Sequence, residues 1–251
     1  MNSKDTVDSI RLYGDGIGRV EYIQHMGDDL TIVNSARVSF GNRKNALDEK
    51  DKKLINYLIK HKHTSTLEHN VVTFKFVVPL FIRSQHHRHR TWSYNEISRR
   101  YTDTDLQFYE PELLRSQHKS NRQASTDDVS DPKLYRYEDG GSLTASGAIR
   151  VHHKSSVKLY NDLLQSGVCR EQARGVLPQN LYTEYYGTCN LNNALKFCVL
   201  RLHDGAQWEI QQVAKAMIAF MKTLWPNALK SWVDLLDNEE LKEGLKGICA
   251  L

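Results

Sequence analysis

The chain has 251 residues, of which 40% are hydrophobic and 25% charged, and 34 Lys and Arg against 30 Asp and Glu leave a formal charge of +4. This is the make-up of a globular protein long enough for one large domain or two small ones, and it is too weakly basic for a diffuse nucleic-acid footprint. No apolar leader opens the sequence and no run approaches the roughly 18 apolar residues that span a bilayer, so a cytoplasmic location is expected.

Near the start, Gly14-Asp15-Gly16-Ile17-Gly18 hints at a nucleotide-binding turn. It lacks the preceding strand, the third-glycine spacing and the downstream acid of a dinucleotide unit, so a tight hairpin turn is the expectation. Residues 19–25 fit a first strand, and Leu54, Tyr57, Leu58 and Ile59 suit a helix ending near His61. From Val72 the residues Val72, Phe74, Phe76 and Val78 alternate with Thr73, Lys75 and Val77, which predicts a strand that stops at Pro79. Pro79 can open a helix at its first turn, with Ile82, Gln85 and either Arg88 or His89 on one face.

Residues 115–148 are rich in Ser, Asp, Gly, Gln and Lys, the composition of a surface insertion or mobile loop within one domain spanning 1–251. Ile149, Val157, Tyr160 and Leu164 recur at helical spacing up to Gly167, and a short segment from Cys169 ends at Pro178, with Arg170 and Arg174 four apart. Asn190 is a good N-cap for a helix whose stripe is Leu191, Leu195, Cys198 and Leu202, with Asn192 and Lys196 neighbours on another face. Asp204 can cap the next helix with Gln207 at its third position, and Trp208, Ile210, Val213, Met217, Phe220 and Leu224 would line its buried side before Pro226. The pattern is mixed α and β.

Cys169, Cys189, Cys198 and Cys249 have no CxxC spacing, so reduced thiols are expected. His61, His63, His69, His86, His87 and His89 lack an HExxH pair or a His-plus-carboxylate spacing, so no bound metal is expected.

The densest chemistry lies between Arg88 and Tyr101, where four arginines and a histidine share fourteen residues with Glu96 as the lone acid. Guanidinium groups carry a permanent charge and a planar fork of donors that fits phosphate oxygens in pairs. Ser93, Asn95 and Ser98 add short directional groups, so the segment reads as a loop that fixes a polar, anionic ligand. A nucleic-acid site using Trp92, Tyr94 and Tyr101 as stacking surfaces is the alternative.

The string Arg88-His89-Arg90, two residues, Ser93, one residue, Asn95-Glu96, one residue, Ser98, one residue, Arg100-Tyr101 resembles the signature of the flavin-dependent thymidylate synthases at every defined position. Ala36-Arg37-Val38-Ser39-Phe40, Glu68-His69, Leu177-Pro178, Asn180-Leu181-Tyr182 and Ala206-Gln207-Trp208-Glu209-Ile210-Gln211-Gln212 extend the likeness over roughly residues 20–110 and 150–225. The resemblance implies an α+β fold, a sheet flanked by helices. It also implies methylation of dUMP at C5 to dTMP with methylenetetrahydrofolate as carbon donor, FAD as hydride carrier and NADPH as reductant. A homotetramer in which more than one subunit lines each site is implied as well; a flavoprotein acting on another pyrimidine is the second alternative.

By the same resemblance Gln85, Arg88, Glu96, Ser98, Arg99, Arg100, Arg174 and Arg201 are the dUMP-binding residues. His63, Ser65, Arg88, His89, Arg90, Glu96, Asn190, Asn192 and Lys196 are the FAD-binding ones. Arg201 is the candidate for activating the uracil, because an adjacent guanidinium would stabilise charge developing on the ring. Ser98 is the second candidate catalytic residue. A serine nucleophile needs a dedicated base that the sequence does not offer, so a hydrogen-bonding role is favoured, with hydride delivered directly from reduced flavin. No cysteine stands in or near the signature to attack C6. Asn192, Lys196, Gly205 and the bulky Trp92 depart from residues common in relatives, which bears on flavin affinity more than on reaction class.

Overall fold

Strand Val71–Pro79 is the axis of the fold because its β-branched and aromatic residues put Val72, Phe74, Phe76 and Val78 fully out of solvent on one face. The opposite face is covered too: Thr73 and Val77 are buried, so the strand is two-sided core rather than the half-exposed strand that simple alternation suggests. The computed structural model describes residues 9–102, 105–122, 124–135 and 141–249, and the side chain of Cys249 lies outside that description.

In chain order the strands are β1 (Ser9–Arg11), β2 (Arg19–Met26), β3 (Val71–Pro79), β4 (Ser93–Glu96), β5 (Leu114–Gln117), β6 (Ser125–Ser130), β7 (Lys133–Tyr135), β8 (Ser142–Thr144) and β9 (Tyr182–Asn190). The helices are α1 (Asp29–Arg37), α2 (Glu49–Lys60), α3 (Ser65–Glu68), α4 (Leu80–His86), α5 (Ala145–Gln165), α6 (Arg170–Ala173), α7 (Leu191–Leu202), α8 (Trp208–Leu224), α9 (Pro226–Asp234) and α10 (Glu239–Cys249). The main sheet has the order β1-β2-β3-β9-β4, every neighbour antiparallel. With helices packed against it the molecule is α+β, as the resemblance implies.

The glycine segment is a hairpin turn between β1 and β2. Gly14 and Gly16 both take φ of +75°, a region open to glycine at no steric cost, and Leu12 N–H closes the loop on Gly18 O at 2.9 Å. A short strand does precede it, yet the chain returns as an antiparallel strand and not as a helix, which removes the dinucleotide reading.

The paired Leu191, Leu195, Cys198 and Leu202 on α7, with Ile210, Val213, Met217 and Phe220 on α8, are buried as their spacing predicts. Trp208 and Leu224 are half-buried at the ends of that stripe. Asn190 caps α7, its side chain accepting from Asn193 N–H at 2.9 Å. The Asp204 cap is not formed. Ala206 N–H bonds His203 O at 2.7 Å, a turn that absorbs 203–206, so α8 starts at Trp208 with Gln207 as its N-cap.

Three further differences matter for the site. Tyr182–Asn190, which sequence patterning did not single out, is the strand that joins β3 to β4. Its Gly187 is pressed under two rings: a Cβ there would stand 2.8 Å from Phe76 Cε2 and 3.3 Å from Trp92 Cε3. The middle of the arginine segment, Ser93–Glu96, is an edge strand, β4, and not only a loop, with Tyr94 facing Gly187 and Glu96 facing Tyr185. Finally, residues 114–144 hold two small antiparallel hairpins, β5-β6 and β7-β8, around the undescribed positions 123 and 136–140.

Candidate active site

Pro79 ends β3 and serves as N-cap of α4, one position earlier than the first-turn placement expected. The helix ends at His86, so Arg88 does not extend its face; Ile82 and His86 are the buried pair and Gln85 is half-buried. His86 has no exposed surface. Its Nδ1 lies 2.8 Å from the Tyr185 hydroxyl, and Phe76, Trp92 and Phe197 pack around its ring at centroid distances of 4.7, 4.6 and 4.6 Å. Burial holds this imidazole well below the ordinary histidine range, hence neutral.

Trp92 is 6% exposed and stacks with Tyr94, whose hydroxyl donates to the carbonyls of His86 at 2.9 Å and His89 at 3.1 Å. These aromatic residues anchor the signature, which leaves the interleaved Arg88 and Arg90 pointing outward, both exposed. Trp92 is therefore no stacking surface for bases, and the nucleic-acid alternative loses its central ring.

Downstream of β4 a cleft of about 570 Å³ is lined by Glu96, Ser98, Arg99, Arg100 and Arg174, among others. Glu96 Oε1 accepts from Arg83 Nε at 3.0 Å and from the Thr183 hydroxyl at 2.7 Å, so the lone acid of the motif is held in a fixed orientation. Arg99 Nη2 reaches the carbonyls of Tyr182 and Asp105, each at 3.5 Å. Arg100 donates to the Tyr101 hydroxyl at 3.1 Å and sits over its ring. Arg174 opens the 3₁₀ turn Arg174–Val176 after α6 and is exposed, as is Arg170.

The Ser98 hydroxyl oxygen accepts from Arg100 N–H at 3.3 Å, while its carbonyl accepts from the N–H groups of Tyr101 and Thr102. No carboxylate or imidazole bonds that hydroxyl among the described residues, so the geometry suits a hydrogen-bonding group rather than an activated nucleophile.

The other predicted substrate residues form a second group. Arg201, on the last turn of α7, donates from Nη2 to Gln85 O and from Nε to His89 Nε2, both at 3.1 Å. Gln85 Nε2 in turn donates to Gln207 Oε1 at 2.5 Å. Burial lowers the Arg201 pKa from its usual value, yet a guanidinium stays charged at neutral pH. Burial and the neighbouring Arg201 push His89 down to about 4. Gln85, Arg88 and Arg201 do not line the wall of that cleft, so the predicted dUMP residues fall into two groups.

Of the predicted flavin set, His63 and Ser65 are exposed at α3, Lys196 is exposed on α7, and Arg88 and Arg90 are exposed after α4. Asn192 differs: it is 5% exposed and donates to Glu68 Oε1 at 2.8 Å, so it faces inward while Lys196, one turn on, faces outward. Asn190 is committed to its cap. Guanidinium, ammonium, imidazole and hydroxyl groups make a donor-rich set that fits the diphosphate and ring carbonyls of FAD. Sequence reasoning missed Arg83 and Thr183, the partners of Glu96, and gave Glu68, the partner of Asn192, no role in the site. The lone acid among cations was a signal for Arg83, three residues into α4; Thr183 became visible only once β9 was known.

Residues 21–227 match the family model described as thymidylate synthase complementing protein. The flavin-dependent thymidylate synthase of Thermus thermophilus is 41% identical over 227 residues, covering 90% of this chain and 78% of that protein. The enzyme of the same description from Thermosipho africanus is 37% identical over 227 residues, 90% of this chain and 96% of that protein. Among solved structures, a UMP/dUMP methylase, PolB, from Streptomyces cacaoi bound with 5-Br dUMP superposes with a TM-score of 0.74 at 32% identity, covering 90% of this chain and 97% of that one. With a signature matched at every defined position and likeness running through nine-tenths of its length, this chain belongs to the flavin-dependent thymidylate synthases.

Proposed function

We propose that the whole chain, as one domain with 115–148 as an excursion, methylates dUMP at C5 to give dTMP. The observation that carries this is the convergence of Glu96, Ser98, Arg99, Arg100 and Arg174 on one cleft of nucleotide size. Methylenetetrahydrofolate supplies the carbon and NADPH the electrons, so dUMP, methylenetetrahydrofolate, NADPH and a proton become dTMP, tetrahydrofolate and NADP⁺. FAD, when bound, carries the hydride between reductant and product. A cytoplasmic location accompanies this reading, and no helix among the described residues is long and apolar enough to cross a membrane.

The chain's own part is positioning and electrostatics. Arg174 and Arg100 neutralise the 5′-phosphate, Glu96 accepts from the sugar or base, and Ser98 adds a short directional contact. Arg201, desolvated and held at two of its nitrogens, faces the pyrimidine and stabilises negative charge as it develops on the ring, which makes C5 the nucleophilic carbon. Arg88, His89, Arg90, His63, Ser65 and Lys196 hold the cofactor. Among the described residues a cysteine nucleophile has no counterpart: Cys189 and Cys198 are buried with thiols pushed up by desolvation, and Cys169 lies on the surface before α6.

Incubation with all four components yields dTMP together with tetrahydrofolate; dihydrofolate as the folate product would mean that the folate itself gives the hydride and would overturn the reading.

The split between the cleft and the Gln85–Arg201 group supports a site assembled from more than one subunit of a homotetramer. Mixing Arg174→Ala with Arg201→Ala subunits, assayed at dUMP well below the raised KM so that each alone turns over slowly, is then expected to restore part of the activity, since some sites receive both intact groups. A mixture no more active than its components would show that each chain builds its site alone.

A further inference from the structure

His89 sits where two elements meet. Its N–H bonds His86 O at 2.9 Å, fixing the backbone beyond α4, and its ring packs edge-on against Phe197 at a centroid distance of 4.9 Å. Phe197 and Arg201 are four apart on α7, so they occupy one face of the helix and grip the imidazole together. Arg201 Nε to His89 Nε2 is 3.1 Å.

That single contact decides a tautomer. An arginine nitrogen can only donate, so the Nε2 it addresses must offer a lone pair. A neutral imidazole whose Nε2 is bare carries its proton on Nδ1. Among the described residues Nδ1 takes no partner, so its proton can be donated outward.

We infer that His89 is a positioning residue for Arg201: it accepts the arginine Nε–H, holds the guanidinium edge toward the substrate, and is itself locked in the Nδ1–H form that presents a donor to an acceptor atom of the flavin. The inference rests on the dUMP-methylating reading for its kinetic consequence but not for the tautomer. Gln85 O supplies the second anchor at Nη2, so both Nη1 protons remain for the pyrimidine. The charged and titratable groups facing His89 are the Arg201 guanidinium from α7 and, from α4, the buried and neutral His86; burial first and Arg201 second keep His89 uncharged down to about pH 4.

The test compares His89→Gln, whose amide oxygen can accept from Arg201, with His89→Phe, which fills the space and cannot. The expected result for His89→Phe is a fall in kcat of about 10- to 100-fold, the fold-change associated with losing a hydrogen bond to a charged group, with the KM for dUMP changed much less. His89→Gln should recover most of that loss. Equal damage in both variants at matched flavin occupancy would overturn the positioning role. Independently of turnover, solid-state NMR of the holoenzyme labelled with ¹⁵N-histidine at pH 5.5, the His89 signal assigned by its loss in His89→Gln, should show a neutral ring with bare Nε2. Ordinary histidine is mostly charged at that pH. A charged ring or an Nε2–H tautomer would sink the inference even in an active enzyme, whereas the expected signal in a protein that makes no dTMP would condemn the functional reading and leave the tautomer standing.

Discussion

Arg201→Ala is expected to lower kcat by about 10²- to 10³-fold while flavin stays bound, the loss seen when one preorganised donor is removed from a developing charge. Arg201 is half-buried, tethered to Gln85 O and His89 Nε2, and so is already desolvated and oriented before substrate arrives. Those are the conditions under which a guanidinium contributes far more than it would in water. Arg90→Ala should behave in the opposite way: Arg90 is exposed beside the signature's aromatic anchor, and its loss should release FAD, read as lost yellow absorbance on gel filtration. Stopped-flow or steady-state turnover beside flavin absorbance separates the two. An Arg201→Ala protein that has lost its flavin, or an Arg90→Ala protein that keeps flavin and loses only turnover, would reverse the assignment of roles.

Arg174→Ala is expected to raise the KM for dUMP by about 10- to 150-fold, corresponding to roughly 1.5–3 kcal/mol for a hydrogen bond to a charged group. The side chain is exposed on the turn Arg174–Val176 and makes no bond that the fold needs, so the variant should keep its melting temperature within about 1–2 °C. Because the contact is to the phosphate and not to the reacting ring, it binds ground state and transition state alike, and kcat should fall little. A second signature of a phosphate contact is salt: raising ionic strength should weaken dUMP binding less in the variant than in the parent chain. An unchanged KM would remove Arg174 from the substrate set.

Much of this architecture could be read from local pattern. The Val72–Val78 alternation, the Asn190 cap, the Leu191–Leu202 stripe and the glycine hairpin are each written in neighbouring residues, and the structure forms each of them. What escaped the sequence depends on tertiary partners. Tyr182–Asn190 carries Glu184 and Gly187, which weaken a strand signal, and the glycine makes sense only beneath Phe76 and Trp92. Asp204 has the chemistry of a cap, but the turn closed by Ala206 and His203 took the segment first.

The same holds for the site. Residue types identified the cations and the signature located them, yet no spacing could say that Glu96 is held by Arg83 and Thr183, or that Asn192 turns inward to Glu68. Trp92 is instructive because it looked like an intrusion among polar residues. Its burial with His86, Tyr94 and Phe197 shows that the motif alternates core anchors with outward charges, as an edge strand does.

The most direct test of the account uses dUMP tritiated at C5. Purified protein is incubated with FAD and methylenetetrahydrofolate, with and without NADPH, and tritium released to water is counted. Release that requires NADPH and is matched by dTMP is the predicted result, since methylation at C5 must expel that hydrogen. A folded, flavin-loaded assembly that binds dUMP and releases no tritium with every component present would contradict the account.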